Sequence, residues 1–307
     1  MSAETPRLRV DALTAAQGML VAQAFGIYIE AGGDPQLPHG DIYVLRFLLQ
    51  CNWRLEAARA LIIKAARWRA ESGADAFRRK LEAGLSFCDH PYHWKMFRSL
   101  LMLPVQARHP STGDSIKLRE LGSLDASYFL GQVSDDEAYT FGWQMLEYDA
   151  YDADRHSAAT GQLVMWVQVN DAAGLGLQSL QPRAIARFRA VTALAEPYYP
   201  EYLHLAISLD APWIAVRLWN SGLKMVFSEK LRRRIHLLGS PTSDMATREA
   251  LGKLVPLSVL PRAFGGELDA MSPESAEVCR LRADAAAPVP CLASCQVMPC
   301  LAPLLCT

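Results

Sequence analysis

The sequence predicts an α/β fold in which a small N-terminal helical bundle precedes a mixed sheet covered by helices. Three observations support this prediction. The first third of the chain has apolar residues at helical spacing, two uncharged runs at Gln162–Val169 and Leu203–Leu209 read as buried strands, and a helical stretch at Pro182–Leu194 separates them. A strand, a helix and a strand joined in this way form a parallel unit whose sheet needs helices on its faces.

The N-terminal elements follow the amphipathic helical pattern in order. Residues 11–30 are rich in Ala, Leu and Gln, and the segment 32–35, with two glycines and a proline, ends that helix. From Asp41 to Leu49, and again from Leu55 to Arg69, apolar residues recur three and four positions apart. A further helix at 75–85 precedes Pro91, so we expect the helical domain to occupy residues 1–94.

The segments after residue 94 alternate in type, which predicts a second domain at residues 95–270. Leu100–Val105 is a short apolar run, and Asp135–Tyr151 has helical spacing. After the two strands, Trp213–Phe227 is apolar around much of its circumference, and Ser228 is a suitable N-cap for a basic helical segment, Glu229–Ile235.

Charge and composition exclude several classes of function. The 307 residues include 31 Lys and Arg against 32 Asp and Glu, so the chain lacks the basic field that nucleic-acid binders use. We therefore expect no nucleic-acid partner. The first ten residues have no apolar run of signal-peptide length, which predicts a cytoplasmic location and no disulfides.

The motifs of enzymes and metal sites fail in this sequence. The stretch from Gly174 to Ser179 lacks the third glycine of a dinucleotide fingerprint. Cys88, His90 and His93 have no fourth ligand at a zinc spacing, and the acidic residues 135–137 are typical of a helix start. We therefore predict no catalytic residue, no cofactor and no metal.

One constellation remains after these exclusions, namely the apolar segment after the second strand and the basic segment at its end. Residues 230–234 contain four cations, and Lys230 and Arg234 are four positions apart on one helical face. Such a pair is suited to phosphate groups at a membrane surface. The alternative is a solvated helix end whose cations suit the helix dipole.

Five stretches together resemble the Sec14-like or CRAL-TRIO lipid-transfer family. Each stretch alone is weak, but they occur in the family's order between about residues 10 and 268, and they look most similar to the tocopherol-transfer and retinaldehyde-binding branch. They are Asp41-Ile-Tyr-Val-Leu-Arg-Phe-Leu-Leu with Trp68-Arg-Ala-Glu; Val169-Asn-Asp-Ala-Ala-Gly-Leu; Tyr199-Pro-Glu with Leu209-Asp-Ala-Pro; Ser228-Glu-Lys-Leu-Arg-Arg-Arg-Ile-His-Leu-Leu-Gly; and Leu260-Pro-Arg-Ala-Phe-Gly-Gly.

The resemblance implies a CRAL-TRIO lipid-binding domain at 95–270 with one hydrophobic ligand under a gate helix, which would fall at Trp213–Phe227. It also implies membrane or phosphoinositide contact by Lys230, Arg233 and Arg234. For each implied pocket residue the alternative is an ordinary core position. These residues are Tyr148, Trp166, Gln168, Asn170, Val191, Leu194, Ala206, Ser208, Trp213, Trp219, Gly222 and Val226.

Some positions depart from the family pattern. Two further basic residues expected at a phosphoinositide site correspond to Leu49 and Tyr202, and the segment 240–244 lacks a lysine expected after Gly239. Phosphatidylinositol is therefore not the expected cargo, and a tocopherol, retinoid, sterol or other phospholipid remains open. Gln168 and Asn170 favour a ligand with a hydrogen-bonding group, since unpaired buried amides are costly.

The function that follows is transfer of a hydrophobic ligand between membranes by a monomer that associates peripherally with an anionic surface. The alternative is a lipid-sensing regulatory or scaffold module without net transfer. Residues 271–307 read as a disordered tail, because the stretch 285–307 has four prolines and no charge. Its four cysteines leave S-palmitoylation as the alternative for this tail.

Overall fold

The computed structural model describes residues 7–86, 93–99, 101–176, 181–221 and 228–269. Within these residues, five strands form one sheet in the order β1-β2-β3-β4-β5, in which β1 and β2 are antiparallel and the other neighbours are parallel. The strands are β1 Leu101–Arg108, β2 Ser115–Glu120, β3 Trp166–Asp171, β4 Leu203–Leu209 and β5 Ile235–Leu237. The predicted α/β class with a mixed sheet is confirmed.

The α-helices surround this sheet and precede it. They are α1 Ala15–Glu30, α2 Gly40–Gln50, α3 Leu55–Ser72, α4 Ala74–Glu82, α5 His93–Ser99, α6 Ala126–Gln132, α7 Asp135–Thr160, α8 Pro182–Thr192, α9 Ala195–Tyr198, α10 Trp213–Ser221, α11 Glu229–Arg232 and α12 Met245–Leu254.

Helix α7 has strong local signals at both ends, which matters because it lies between the N-terminal helices and the sheet. Ser134 and Glu137 form a reciprocal capping box at its start. Gly161 ends it in a left-handed conformation with φ of 70°, which glycine adopts without a steric penalty. The helix therefore extends nine residues beyond Tyr151, where the sequence pattern alone placed its end.

The two faces of the sheet differ in chemistry. One face is apolar, and its residues share a buried cluster with α12, with the turns that follow it and with Ala138, Phe141 and Met145 of α7. Its buried residues include Ile116, Leu118, Val167, Val169, Ile207 and Leu209, with Leu251, Val255, Leu260 and Phe264 in the same cluster. The opposite face, which we call the inner face, carries Ser115, Lys117 and Arg119 of β2 in register with Trp166, Gln168 and Asn170 of β3.

Helix α7 covers part of this inner face. The hydroxyl of Ser115 donates to Asp152 over 2.7 Å, and Lys117 forms an ion pair with Asp149. The contacts show that α7 packs on the polar side of the sheet.

Two strands were not expected from the sequence. β2 has charged residues on its inner face, and β5 lies where the basic segment was expected to continue as a helix to Ile235. Instead α11 ends at Arg232, because the chain then joins the sheet, where the carbonyl of Arg234 accepts from the backbone of Ala206 over 2.9 Å. The expected helical i, i+4 relation of Lys230 and Arg234 is therefore wrong.

The division at residues 94 and 95 stays a prediction. The core of α1, α2 and α3 also contains Ala150, Trp166 and Tyr202 from later elements, so the helical bundle shares a core with α7 and the sheet. Among the described residues, no helix is both long and apolar enough to cross a membrane.

Candidate functional site: the inner sheet face and the basic surface

The parallel register of β3 and β4 brings four predicted ligand-binding residues together. Gln168 lies opposite Ala206, and Asn170 lies opposite Ser208, on the inner face. The side chain of Gln168 donates to that of Asn170 over 2.7 Å, and Asn170 donates to the carbonyl of Ile207 over 3.4 Å. The two amides therefore form a polar strip along the middle of the sheet.

Three other predicted residues make the contacts of packing residues. Trp166 is buried and stacks on Tyr202, with ring centres 5.3 Å apart. Val191 of α8 lies against Gly142 of α7, where a Cβ atom would approach it to 2.3 Å. Leu194 is buried in a cluster with Trp143. Ligand contact by these residues stays a prediction.

Strand β2 adds two cations to the inner face that sequence reasoning missed. Lys117 lies in register with Gln168, and Arg119 with Asn170. The ammonium of Lys117 lies 5.8 Å from the ring centre of Tyr148, which places that predicted residue beside the charged row. The alternation of Ile and Leu with Lys and Arg along β2 is the one sequence signal that indicates them.

The two cations share one carboxylate of α7. Lys117 is paired with Asp149 Oδ1, and both side chains are almost completely buried. Arg119 Nη2 lies 4.0 Å from Asp149 Oδ2. Burial lowers the pKa of Arg119, and the attraction of Asp149 offsets this only in part. The charge of the guanidinium is therefore incompletely compensated.

The expected gate is described for its first nine residues as helix α10. Trp213, at its start, is 70% exposed, although a tryptophan of this size is usually mostly buried. Trp219 is half-buried. The predicted residues Gly222 and Val226 lie outside the described residues, so their part in a gate stays a prediction.

The basic surface is organised by one carboxylate, that of Glu201. Lys230 pairs with one of its oxygens, and Arg234 Nη2 contacts the other over 2.9 Å. Burial raises the pKa of Glu201, but its pairing with Lys230 and Arg234 more than offsets this and lowers it below the usual value. Arg233 is exposed and pairs with Glu229.

A second group of charges is fully buried where the N-terminal helices meet α7. We call it the buried ion network; it comprises Arg46, Arg69, Arg78, Asp75, Glu147 and Asp154. Arg69 forms a bidentate pair with Glu147 at 2.7 and 2.9 Å and a third contact with Asp75 at 2.6 Å. Arg78 bridges Glu147 at 2.5 Å and Asp154 at 3.0 Å.

The third arginine closes the network. Arg46 donates to Asp154 over 2.9 Å and to the carbonyl of Glu201 over 2.8 Å, which links the network to the basic surface. Burial opposes ionisation of Glu147, yet Arg69 and Arg78 hold its pKa at about 2. Three cations therefore face three carboxylates in this region.

In the part of the chain that the structure describes, no group of three or more His, Cys, Asp or Glu residues could hold a metal ion. Cys88 and His90 lie outside the described residues, as does the side chain of His93. The inner face carries amide and charged side chains, which are groups that can orient a ligand.

Comparison with family descriptions identifies a CRAL/TRIO domain match over residues 135–266. This match covers the region from α7 to the turn after α12, and therefore includes the inner face of β3 and β4 and the basic surface.

Two of the relatives are named Sec14 cytosolic factors, and a third is named a transfer protein. The chain is 24% identical over 232 residues to the Sec14 cytosolic factor of Schizosaccharomyces pombe, which covers 74% of each protein. It is 24% identical to the SEC14 cytosolic factor of Eremothecium gossypii, over 76% of this chain and 71% of that protein. A phosphatidylinositol/phosphatidylcholine transfer protein of Arabidopsis thaliana, SFH13, is 26% identical over 75% of this chain and 35% of its own length.

The crystal structure of Sfh5 has the same fold as this chain, with a TM-score of 0.53 at 12% identity, over 86% of this chain and 90% of that one. The domain match and the named relatives make this chain similar to CRAL/TRIO-domain and Sec14 proteins, one of which is named a phosphatidylinositol/phosphatidylcholine transfer protein. The tocopherol-transfer and retinaldehyde-binding branch stays a prediction.

Proposed function

We propose that this chain, a Sec14-like protein by its domain match and relatives, binds one hydrophobic ligand on the inner face of its sheet and transfers it between membranes. The observation that carries the proposal is the register of β3 and β4. It aligns Gln168 with Ala206 and Asn170 with Ser208 on one face, beside α7 and ahead of the apolar helix α10.

Binding in this proposal depends on burial and needs no catalytic group. Removing apolar surface from water contributes about 25 cal/mol per Å², so a lipid that buries a few hundred Å² gains several kcal/mol. The polar strip of Gln168 and Asn170 fixes the orientation of the ligand through its hydrogen-bonding group. The chain is thus a carrier rather than an enzyme, and no cofactor takes part.

Release in this proposal takes place at a membrane through movement of the segment that begins with α10. Trp213 is exposed at the start of this helix, and tryptophan favours the boundary between water and lipid. Opening there exposes the ligand to the bilayer rather than to water. The gate residues Trp219, Gly222 and Val226 belong to this step.

The basic surface supplies the membrane contact. Lys230, Arg233 and Arg234 attract anionic headgroups, including phosphoinositides. Since Lys230 and Arg234 are both paired with Glu201, a headgroup phosphate must compete with that carboxylate. We propose a monomer that is cytoplasmic and peripherally membrane-associated, with the helical domain ending at residue 94 and the lipid-binding domain at 95–270.

The proposal is tested by native mass spectrometry of the freshly purified chain, followed by organic extraction and identification of the bound compound. A stoichiometric lipid, together with transfer of that lipid between donor and acceptor vesicles, is the expected result. A bound lipid without transfer would favour the lipid-sensing scaffold. An unliganded protein that also takes up no lipid from vesicles would overturn both functions.

A further inference from the structure

The row formed by Arg119, Asn170 and Ser208 lies at the carboxyl ends of three neighbouring parallel strands. Arg119 is in register with Asn170, and Asn170 with Ser208, so the three side chains share the inner face. The guanidinium therefore lies on the same face as the residues to which the proposed function assigns the ligand.

The guanidinium of Arg119 is partly buried and has one long ion pair among the residues whose side chains the structure describes. Only 20% of its side chain is exposed, and among the residues whose side chains the structure describes none accepts a hydrogen bond from it. Its nearest carboxylate is Asp149, at 4.0 Å, which is beyond hydrogen-bond distance. An arginine has five N–H donors in a planar fork. None of these residues accepts from them, and none of the guanidinium nitrogens is both fully buried and unpaired, so they can be reached by solvent or by a group outside these residues.

Lys117 prevents Asp149 from compensating the charge of Arg119. The ammonium of Lys117 occupies one oxygen of Asp149, and both groups are buried. Two cations therefore contact Asp149, while Asp152 pairs with Arg108 and also attracts Lys117. Three cations thus face two carboxylates in this part of the inner face. Removing charge from water is costly unless it is paired, and arginine does not escape the cost by losing its proton.

We propose that Arg119 is a specificity residue of the ligand site and that it pairs with an anionic group of the bound lipid, either a carboxylate or a phosphate. Both groups accept two parallel hydrogen bonds from the fork of a guanidinium. The amides of Asn170 and Gln168 lie beside that position and accept or donate to the rest of the headgroup. The inference rests on the proposed function and adds the class of cargo: an acidic amphiphile is favoured over a neutral tocopherol, retinoid or sterol.

The test measures binding of matched fluorescent probes to the full chain. One pair is a pyrene-labelled fatty acid and its methyl ester, which differ by the carboxylate. The other pair is a pyrene-labelled phosphatidic acid and the corresponding diacylglycerol, which differ by the phosphate. The variants are Arg119→Met, Arg119→Lys and, as a matched control, Arg155→Met, whose side chain on α7 is 62% exposed.

The expected result is that Arg119→Met weakens binding of one acidic probe at least tenfold and leaves its neutral counterpart within about twofold. Charge-assisted bidentate pairs are strong and geometrically specific, so Arg119→Lys is expected to restore only part of the affinity. The probe pair whose acidic member loses affinity identifies whether the anion is a carboxylate or a phosphate. Arg155→Met is expected to change neither.

Equal loss of acidic and neutral probes in Arg119→Met would overturn the inference, because it would show a general packing effect. Unchanged binding of every probe in that variant would overturn it as well, while leaving the lipid carrier intact. If the unmodified chain bound none of the four probes and carried no extractable lipid, the proposed function itself would fail. The circular dichroism spectrum and unfolding midpoint of each variant establish that it is folded.

Discussion

Two sets of buried charges lie on opposite sides of α7, and they differ in how completely they are paired. Glu147 and Asp149 are two positions apart, which rotates them by about 200° around the helix. Glu147 belongs to the buried ion network, in which three guanidiniums meet three carboxylates. Asp149 faces the sheet, where it serves two cations.

This difference distinguishes charges that stabilise the fold from charges that remain available to a ligand. In the buried ion network, every arginine has acceptors within hydrogen-bond distance, and Tyr199 donates its hydroxyl to Glu147 over 2.8 Å. The charged groups of this network are hydrogen-bonded to one another, so few donors or acceptors remain for a ligand. On the inner face, where a ligand is proposed to bind, Arg119 has only a 4.0 Å pair with Asp149 among the residues whose side chains the structure describes.

The largest effect is expected from breaking the paired set with Glu147→Gln. This change leaves Arg69 and Arg78 buried without their shared carboxylate, and breaking a buried pair from one side costs about 3–5 kcal/mol. The free energy of unfolding in urea measures the loss. The matched control, Glu56→Gln on α3, removes a carboxylate that is 85% exposed, and is expected to cost less than about 1 kcal/mol. Similar losses in the two variants would contradict a stabilising role for the network.

The second prediction concerns the pH dependence of the folding stability that Glu147 contributes. The pKa of Glu147 is depressed from 4.5 to about 2 in the folded protein, so its ionised form stabilises the fold above pH 4.5. This contribution, of order 3 kcal/mol, is lost as the pH falls from 4.5 towards 2. The stability difference between the original chain and Glu147→Gln should therefore shrink across that window. A difference that stays constant from pH 5 to pH 2.5 would show that Glu147 is not the titrating group.

The contrast between the two charge sets also explains which elements the sequence predicted well. The strand β4 was expected at Leu203–Leu209 and occurs there, because its uncharged and largely apolar run is a clear local strand signal; Ile207 and Leu209 are buried and its other residues are half-buried. β2 was missed, since Lys117 and Arg119 give its inner face the appearance of a solvated surface. Asp149 offsets the cost of burying these two cations, but it lies on another element, 32 positions after Lys117 and 30 after Arg119.

Long-range pairing likewise hid the buried ion network and part of the basic surface. Arg46 and Arg69 were recognised within family-like motifs, but their carboxylate partners lie on α4 and α7. Glu201 was quoted in the Tyr-Pro-Glu motif, while its role in holding Lys230 and Arg234 depends on the approach of α11 and β5 to the turn before β4. Residue spacing along the sequence predicts neither the arginine–carboxylate pairs of the buried ion network nor the pairing of Glu201 with the two cations.

A third, smaller effect would sharpen the comparison on the inner face, through Lys117→Met. Removing this ammonium frees Asp149, and Arg119 is close enough to take it as a partner with a small side-chain movement. We therefore expect a loss of only about 1–2 kcal/mol in urea unfolding, below that of Glu147→Gln, because a second cation compensates. The same variant should bind the acidic probe more weakly, since Asp149 then neutralises Arg119. A loss as large as that of Glu147→Gln would place Lys117 among the charges that hold the fold.

The smallest effect concerns the basic surface. Its cations are paired, like those of the buried ion network, but they remain accessible to a ligand, as is proposed for Arg119. Glu201→Gln removes the carboxylate that competes with headgroups for Lys230 and Arg234, so binding to vesicles containing anionic lipid should become severalfold tighter. Lys230→Ala combined with Arg234→Ala should weaken it, since each cation near an anionic surface contributes about 1 kcal/mol. Arg155→Ala controls for the loss of a cation elsewhere. Vesicle co-sedimentation measures both variants. A membrane role predicts that Glu201→Gln raises the affinity for anionic vesicles and that the double variant lowers it. If both variants changed this affinity in the same way, the cations would serve to hold the turn before β4 and not to bind a membrane.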